Sequence, residues 1–470
     1  MRRRFVLVLL AALLVTGCTE QPGPRPSPAQ SFTVPTPAAR SGTIFGAHWD
    51  WNRYEQFVPY LTKLRGSSTY YELSWCDVEK APGRPDFSAL DRIARRSRDL
   101  GISLDLKIRT GTCWATGGTA QHTRGQAAKT ESRMPLDLAA YQAFVSALVT
   151  RYKALGVKQY AVENEVNARQ YWAGTPQQYE QLVAAAAEAI HRADPDALVA
   201  DSGISSVAMG MGVASRLLAR GKAADAVAAY RAYFARRVGT RGRQIPPVTD
   251  EAGLRAALDN PVNERNLAYL AVTEKLLDDG VVQVRQLHFY EHPDGVPPLL
   301  DYLGAETPDG VPVEAWEVGR FDRAADADPA PVADEMTKVA GRLAAGGITE
   351  VVWLPLAYNP GNRAGAEVRY GLLDPDGRER PAGAMLAGLA GAARGGTASP
   401  IRQDGLDGVA FTGGGRTNMV VWADTAPVKV DLPARELTGE PAGPAGAVGG
   451  TPVLVESDEP LDKALDALRG

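Results

Sequence analysis

KALGVKQYAV, residues 153–162, ends a helical pattern at Gly156 and continues at once as an apolar run. Glycine favours the left-handed conformation that closes a helix. Near-continuous apolar strands are typical of a parallel sheet that is covered on both faces. The same unit recurs around Gly101, Gly280 and Gly347, each of which precedes a run rich in Val, Ile and Leu. The repeated unit predicts an α/β fold in which helices alternate with parallel strands.

Eight such strand patterns follow one another along the chain. They begin near Ile44, Thr69, Ile102, Val157, Ala197, Val281, Val313 and Ile348. An open doubly wound sheet is the alternative, but no glycine-rich phosphate loop follows the first strand, Ile44–Ala47. We therefore predict a (β/α)8 TIM barrel over residues 41–395.

Two departures from a minimal barrel are expected. The fourth and seventh strands are separated by on the order of 60 residues more than three barrel units need. Residues 204–263, with the alanine-rich stretch Ala223–Arg237, supply the excess as a helical insertion after strand five that overhangs the mouth. Residues 396–470 contain short strand patterns separated by glycine and proline, which predicts a small antiparallel, sandwich-like β domain. We expect this domain to bury barrel surface rather than to act as an independent binding module.

The N-terminus reads as an export signal followed by a tether. Arg2-Arg3-Arg4, the apolar run Phe5–Val15 and a small-residue site before Cys18 are typical of a bacterial lipoprotein signal over residues 1–18, with Cys18 as the lipidated residue. The apolar run is well short of the ~20 residues that a membrane span needs. Residues 19–40 are rich in proline and serine and predict a flexible tether. We expect an exported protein, lipid-anchored at the outer side of the cell membrane, that touches the membrane only through this anchor.

Composition excludes several other classes. The net charge of −4 gives no reason to expect nucleic acid. The five histidines and three cysteines lack metal-site spacing, and no Gly-x-Ser-x-Gly elbow is present, so neither a metal nor a cofactor is predicted. We expect a monomer.

Cys76 and Cys113 fall just beyond neighbouring predicted strands, so a disulfide is predicted, with two unconnected buried residues as the alternative.

Two glutamates, Glu165 and Glu317, each follow an apolar run and should lie at the carboxyl ends of strands four and seven. Chemistry in such barrels gathers at these strand ends. Two facing carboxyl groups are what a retaining glycosidase uses, one as acid and base and the other as nucleophile. Glu163 and Glu314 compete for these roles, but each is also placed to pair with a lysine or arginine of the barrel.

Further polar and aromatic residues follow the predicted strands and form a candidate substrate-binding set. These are His48, Trp75, Trp114, Asn164, His288, Tyr290 and Trp353. Seven of the eight tryptophans lie at strand ends or in the loops just after them, and large flat rings stack on sugars. Core packing is the alternative for any one of them, although it is a poor account of all seven together.

The motifs, in order, resemble clan A of the retaining glycoside hydrolases, which includes β-xylosidases and β-galactosidases. The segments that match the motifs of this clan are Trp75-Cys76-Asp77-Val78-Glu79, Thr112-Cys113-Trp114-Ala115, Asn164-Glu165, His288-Phe289-Tyr290, Glu317 and Trp353. The resemblance implies Glu165 as acid/base and Glu317 as nucleophile. It also implies that Asn164 binds a 2-hydroxyl, Tyr290 orients Glu317 and Trp353 forms the subsite floor.

The chain departs from that pattern at the second strand. Tyr70 stands where the clan usually has an arginine near the nucleophile, and Tyr290 or Arg109 is expected to compensate. The predicted function is hydrolysis of an oligo- or polysaccharide by a retaining glycosidase. The alternatives are a transglycosylase, and an inactive carbohydrate-binding lipoprotein of the cell envelope on the same barrel.

Overall fold

The structure is a computed structural model that describes residues 42–118, 131–239, 244–322, 329–359, 363–364, 367–437 and 446–469. The predicted signal, lipidation site and tether lie outside these residues. Up to residue 395 the strands are β1 (Ile44–Ala47), β2 (Ser68–Ser74), β3 (Ser103–Arg109), β4 (Gln159–Val162), β5 (Leu198–Ala200), β6 (Arg285–Phe289), β7 (Val313–Val318), β8 (Phe321–Asp322), β9 (Glu350–Trp353), β10 (Arg363–Ala364) and β11 (Glu367–Arg369).

Helices separate these strands as the repeated unit predicts. They are α1 (Tyr54–Leu61), α2 (Trp75–Val78), α3 (Ser88–Leu100), α4 (Leu138–Tyr152), α5 (Pro176–Ala193), α6 (Ser206–Ala219), α7 (Ala223–Tyr233), α8 (Glu251–Leu258), α9 (Pro261–Asp278), α10 (Val296–Glu306), α11 (Pro329–Ala345) and α12 (Pro381–Ala393). Local sequence sets their ends. Thr175 forms a capping box with Gln178 at the start of α5, and Gly101 closes α3 at φ 70°.

The eight predicted barrel strands are confirmed as β1–β7 and β9, all parallel. They pair in the orders β2-β3-β4-β5 and β1-β9-β7-β6. Parallel bridges from Ala200 to Val284 and from Ile204 to Leu287 join the two sheets on one side. On the other side β1 meets β2 so closely that a Cβ at Gly46 would lie 1.9 Å from the Ser68 carbonyl oxygen. Only glycine therefore permits this approach.

The barrel is filled, as expected for eight strands. Buried residues from different strands meet along its axis: Tyr70, Ala161, Ala200, Val284, Trp316 and Val352. Tyr70 stacks on Trp316 with ring centroids 6.3 Å apart. This packing fills the centre of the barrel.

The helical insertion is confirmed as α6, α7 and α8, between β5 and α9. Its contacts reach the carboxyl-end side of the barrel. Arg237 Nη1 donates to Glu291 Oε1 at 2.8 Å, just after β6, and the Arg237 guanidinium lies 5.1 Å from the ring centroid of Phe321, just after β7. The insertion therefore braces the loops that follow two barrel strands.

The C-terminal region is antiparallel, as predicted. Its elements are β12 (Thr397–Gln403), β13 (Leu406–Gly413), β14 (Arg416–Trp422), β15 (Val428–Lys429), β16 (Ala434–Glu436), β17 (Ala447–Val448), β18 (Val453–Ser457) and α13 (Leu461–Arg469). Five strands form one sheet in the order β12-β13-β14-β18-β16, and β15 pairs with β17. One face of the sheet joins the barrel core through Phe411, Val420 and Trp422. The other face packs under α13 and the β15–β17 pair.

Within the described ranges, no helix combines the length and apolar character that crossing a bilayer requires.

Candidate active site

The structure brings Glu165 and Glu317 together at the mouth of the barrel. A carboxylate oxygen of each lies within 4.8 Å of the other and of a ring nitrogen of His288. The Glu165 side chain is 16% exposed and that of Glu317 is 8% exposed. Strand pairing explains part of this geometry, because β6 and β7 shift register so that His288 lies beside Glu317.

The end of β4 is strained where it presents Glu165. Glu163 has a φ of 70° and Glu165 a φ of 40°, which lie in a backbone region that residues other than glycine rarely adopt. Such strain persists only where the surroundings hold it, and it is common at functional sites. Here a buried hydrogen bond holds Glu163, because the backbone N–H of Thr110 donates to Glu163 Oε1 at 2.7 Å.

Glu317 accepts hydrogen bonds from three side chains. Lys107 Nζ lies 2.9 Å and the Tyr70 hydroxyl 3.1 Å from Oε1, and the Tyr290 hydroxyl lies 2.9 Å from Oε2. The expected contact between Tyr290 and Glu317 is therefore present. Three donors fix both carboxylate oxygens in place.

The pKa of Glu317 is held well below its usual range. Burial alone would raise this pKa, but attraction to His288, Lys107 and Arg369 outweighs the effect of burial. The carboxyl group is therefore ionised across the ordinary pH range, as a nucleophile requires.

Lys107, and not Arg109, supplies the cation beside Glu317. Arg109 is engaged elsewhere, with Glu72 at 3.0 Å and Glu163 at 3.6 Å. The expectation that Arg109 compensates is wrong, because its side chain points away from Glu317 toward these two carboxylates. Lys107 is fully buried and its ammonium lies 4.3 Å from the ring centroid of Tyr70. The tyrosine therefore supplies a ring face beneath the cation.

Glu165 is oriented by His288. Nδ1 of the fully buried His288 lies 2.9 Å from Glu165 Oε1, and Nε2 lies 3.1 Å from Lys107 Nζ. Nε2 also lies 3.1 Å from Gln286 Oε1, so polar partners at both ring nitrogens hold the imidazole in place. A Cβ at Gly203 would lie 2.3 Å from His288 Nε2, so glycine is needed for the loop after β5 to pass this ring.

Asn164 lies in the same network. Its Oδ1 accepts from Lys107 Nζ at 2.8 Å, which leaves the amide Nδ2 as a donor beside Glu165. The competing glutamates are held elsewhere. Glu163 faces Arg109 and Thr110, and Glu314 accepts from Gln159 Nε2 at 3.1 Å and from Trp316 Nε1 at 2.8 Å.

His48 borders the site. Its ring stacks on Tyr70 with centroids 4.2 Å apart, and Nδ1 lies 3.0 Å from the Tyr70 carbonyl oxygen. Burial lowers the pKa of His48 to about 4, despite the opposing attraction of Glu317. His48 is therefore neutral near pH 7.

The tryptophan argument is largely wrong. Six of the seven tryptophans at strand ends and in the following loops are buried: Trp49, Trp51, Trp75, Trp172, Trp316 and Trp353. Trp75 packs against Tyr141 and Phe144 and is 1% exposed, so it does not fit a substrate contact. Trp353 is also 1% exposed, and its indole donates to the Tyr370 carbonyl oxygen at 3.2 Å, so no open ring face remains as a floor. Trp114, 37% exposed, stays a candidate for stacking on a sugar.

The predicted disulfide is present. Cys76 and Cys113 are joined with a Cα–Cα distance of 5.6 Å. The bond ties α2, which follows β2, to the loop after β3 that carries Trp114. The loop is also fixed by a hydrogen bond from Trp114 Nε1 to the Glu79 carbonyl oxygen at 2.8 Å.

Glu165, His288 and Glu317 are close enough together to be considered as metal ligands. The geometry fits hydrogen bonding better. Ligand atoms that share a zinc ion at 2.0–2.1 Å are separated by roughly 3.3 Å, whereas His288 Nδ1 and Glu165 Oε1 are 2.9 Å apart. Lys107 already supplies a cation to Glu317.

Two residues of the site were given no role from the sequence, although Lys107 belongs to the polar residues at the strand ends. Lys107 carried a signal, since it alternates with Asp105 and Arg109 between the apolar residues of the strand Ser103–Arg109. Arg369 carried none, because it follows the barrel's last strand in a segment with no pattern of its own. The antiparallel pairing of β11 with β8 brings it back to the mouth.

No family model matches the chain, and no curated protein matches it. Solved structures do. A family 39 glycoside hydrolase from the gut symbiont Bacteroides cellulosilyticus WH2 is 15% identical over 89% of this chain and 81% of that one, with a TM-score of 0.59. A family 39 β-xylosidase from Caulobacter crescentus is 16% identical over 91% and 99%, with a TM-score of 0.54. A family 30 endoxylanase from Clostridium papyrosolvens C71 is 14% identical over 89% and 95%, with a TM-score of 0.51. At these identities the likeness establishes the fold, an α/β TIM barrel with an added antiparallel β region.

Proposed function

We propose that the protein is a retaining glycosidase that cleaves O-glycosidic bonds of an oligo- or polysaccharide. One observation carries the proposal: two carboxyl groups with oxygens within 4.8 Å of each other, at the carboxyl ends of β4 and β7. Retaining glycosidases place their two carboxyl groups about 5–5.5 Å apart, whereas inverting enzymes leave room for a water between them. The glycoside hydrolases among the structural neighbours support the same reaction class.

Glu317 would attack the anomeric carbon, since its ionised form is stabilised and both of its oxygens are positioned. Glu165 would give its proton to the departing oxygen. It is the more exposed of the two, and His288 turns it toward Glu317. The glycosyl–enzyme ester that forms on Glu317 removes one negative charge beside Glu165. Glu165 can then act as the base that takes a proton from the attacking water.

The neighbouring residues would lower the barrier by positioning charge. Lys107 and Tyr290 would hold the nucleophile by hydrogen bonds. In a site that excludes water, one such preorganised donor lowers the activation free energy by about 3 kcal/mol. Asn164 Nδ2 would donate to the sugar 2-hydroxyl.

Two substitutions test the assignment through their different effects. Glu317→Gln removes the nucleophile and should lower kcat by at least about 10⁴-fold on every aryl glycoside that the wild type cleaves. Glu165→Gln should lose activity mainly on substrates with poor leaving groups, which need the acid. On dinitrophenyl glycosides the first step should still proceed, and azide should restore turnover by replacing the water that Glu165 no longer activates. Glu456→Gln, on the exposed side of the C-terminal sheet, serves as the control. Equal, small losses for all three variants would reject these two glutamates as the catalytic pair, whereas a wild type that binds glycans but cleaves none of the aryl glycosides would favour the carbohydrate-binding role.

The proposal includes the location. Cys18 would be lipidated and would hold the barrel at the outer side of the cell membrane through residues 19–40. Cys18→Ser should move the protein from the membrane fraction to the soluble fraction without changing the kcat of the released enzyme. Persistence in the membrane fraction would argue for another means of attachment.

A further inference from the structure

Arg369 is a further cation at the mouth of the barrel, and its surroundings differ from those of Lys107 and Arg109. Lys107 contacts Glu317 at 2.9 Å, and Arg109 contacts Glu72 at 3.0 Å. Among the residues that the structure describes, no carboxylate lies within ion-pair distance of Arg369. The side chain of Arg369 is partly buried and partly exposed to solvent.

Two elements hold Arg369 in place. It pairs with Phe321 across β11 and β8, and the next residue, Tyr370, donates its backbone N–H to the Arg320 carbonyl oxygen at 2.9 Å. The guanidinium carbon lies 5.4 Å from the ring centroids of both Tyr290 and Phe321. Tyr290 in turn donates to Glu317. Arg369 is therefore one side chain away from the nucleophile.

The guanidinium keeps its charge in this position. Burial alone would lower the pKa of Arg369, but attraction to Tyr290 and Glu317 more than reverses this and raises the pKa. Aromatic faces offset only part of the cost of removing a cation from water. The five N–H donors of the guanidinium lie in a plane that matches a carboxylate or a sulfate group. A group of that kind from the substrate would complete the set of contacts.

We infer that Arg369 binds an anionic substituent of the sugar next to the scissile bond, so that the substrate is an acidic glycan. The inference rests on the proposed glycosidase function and adds its substrate class. A carboxylate at C5, as in a hexuronic acid, is the form that the geometry points to, because a side chain beside Tyr290 can reach the ring substituents close to Glu317. A sulfate ester offers the same chemistry from another position on the ring.

A series of aryl glycosides isolates the C5 substituent. 4-Nitrophenyl β-D-xyloside, β-D-glucoside and β-D-glucuronide share their C2–C4 configuration and carry hydrogen, hydroxymethyl and carboxylate at C5. The galactoside and galacturonide form a second pair. We expect the carboxylate member to have the highest kcat/KM. Arg369→Gln should lower that value by at least about 100-fold and change the neutral members by less than about 3-fold. The kcat/KM of Arg369→Lys for the carboxylate member should lie between those of the wild type and Arg369→Gln. Arg435→Gln, on the C-terminal sheet, is the matched control.

Binding supplies a readout that does not need turnover. Glu317→Gln, with and without Arg369→Gln, is titrated calorimetrically with acidic oligosaccharides, sulfated ones in a separate arm, and with neutral ones of equal length. Tighter binding of the acidic members, lost with Arg369→Gln and weakened by salt, supports the inference. The inference is overturned if no acidic member binds more tightly than its neutral counterpart. It is also overturned if Arg369→Gln lowers the affinity and the kcat/KM for neutral and acidic substrates equally. Failure of the proposed function would look different: acidic glycans would bind through Arg369 but would not be cleaved.

Discussion

Lys107 contacts three polar groups of the site at once: Glu317, Asn164 and His288. A buried cation of this kind is stabilising only while all its partners are present, because an unpaired charge in the interior is costly. Lysine on the third strand, next to the ring of Tyr70 on the second, places a positive charge beside Glu317.

Replacing Lys107 with Met should therefore affect both activity and stability. We expect kcat to fall about 10²–10³-fold, and the acid limb of the pH–rate profile to move to higher pH because the pKa of Glu317 rises. The free energy of unfolding should fall by about 3–5 kcal/mol, since a buried carboxylate loses its partner. Urea unfolding and pH–rate profiles check both effects. Lys275→Met, which breaks only surface pairs, should change stability by under about 1 kcal/mol. An unchanged acid limb in Lys107→Met would contradict the role of the cation.

His48 should make the fold sensitive to mild acid. Its pKa is 6.5 in the unfolded chain and about 4 in the folded one, so between these values only the unfolded state binds the proton. The stabilisation is complete above pH 6.5 and is lost as the pH falls toward 4. It amounts to about 2 kcal/mol between pH 7 and pH 4.5. His48→Asn should show a correspondingly flatter dependence of unfolding free energy on pH, measured by urea titration. An equally steep dependence in that variant would assign the acid sensitivity to other groups.

At the scale of elements, local signals predicted the barrel well. Glycines that close helices, with apolar runs after them, marked four of the strands, and further strand-like runs completed the count of eight, because these signals depend only on neighbouring residues. The insertion was placed by the excess length between strands four and seven. Side-chain direction was predicted poorly. A position at a strand end does not say whether a ring turns into the mouth or back into the core, which is why Trp75 and Trp353 were misassigned. Arg369 was missed because its place depends on pairing between β8 and β11, which are distant in sequence.

The disulfide between Cys76 and Cys113 should stabilise the segments that follow β2 and β3. Its loop of 37 residues corresponds to about 3–4 kcal/mol in the chain-entropy account. Reduction, or Cys76→Ser with Cys113→Ser, should lower the free energy of unfolding by that amount in urea. Activity at 25 °C should remain, since neither cysteine contacts Glu165 or Glu317. A variant with unchanged stability but lost activity would point instead to a direct role of this loop.

At the scale of the whole molecule, the C-terminal sheet and the barrel share one core. Phe411 packs edge-on against Phe45 of β1 at 6.1 Å between centroids, and Arg342 of α11 pairs with Asp407 and Asp424 of the C-terminal region. Buried aromatic and apolar residues at this contact contribute about 1.5–3 kcal/mol each. The region is therefore expected to be part of the folding unit and not a separable module.

Removing residues 396–470 should expose this apolar surface. We expect the truncated chain to aggregate or to unfold at much lower temperature, and the chain from residue 41 to the end to unfold in a single calorimetric transition. Two separate transitions in the longer chain, or a stable and active barrel after truncation, would show that the two parts fold independently.

Trapping the covalent intermediate tests the central claim most directly. A 2-deoxy-2-fluoro derivative of the glycoside that the wild type cleaves is incubated with the enzyme, and the digested protein is analysed by mass spectrometry. The account predicts one added glycosyl group, on the peptide containing Glu317, formed slowly and released by an acceptor sugar. A protein that turns over the parent glycoside but carries no adduct, or carries it on another residue, would contradict the assignment of Glu317 as the nucleophile.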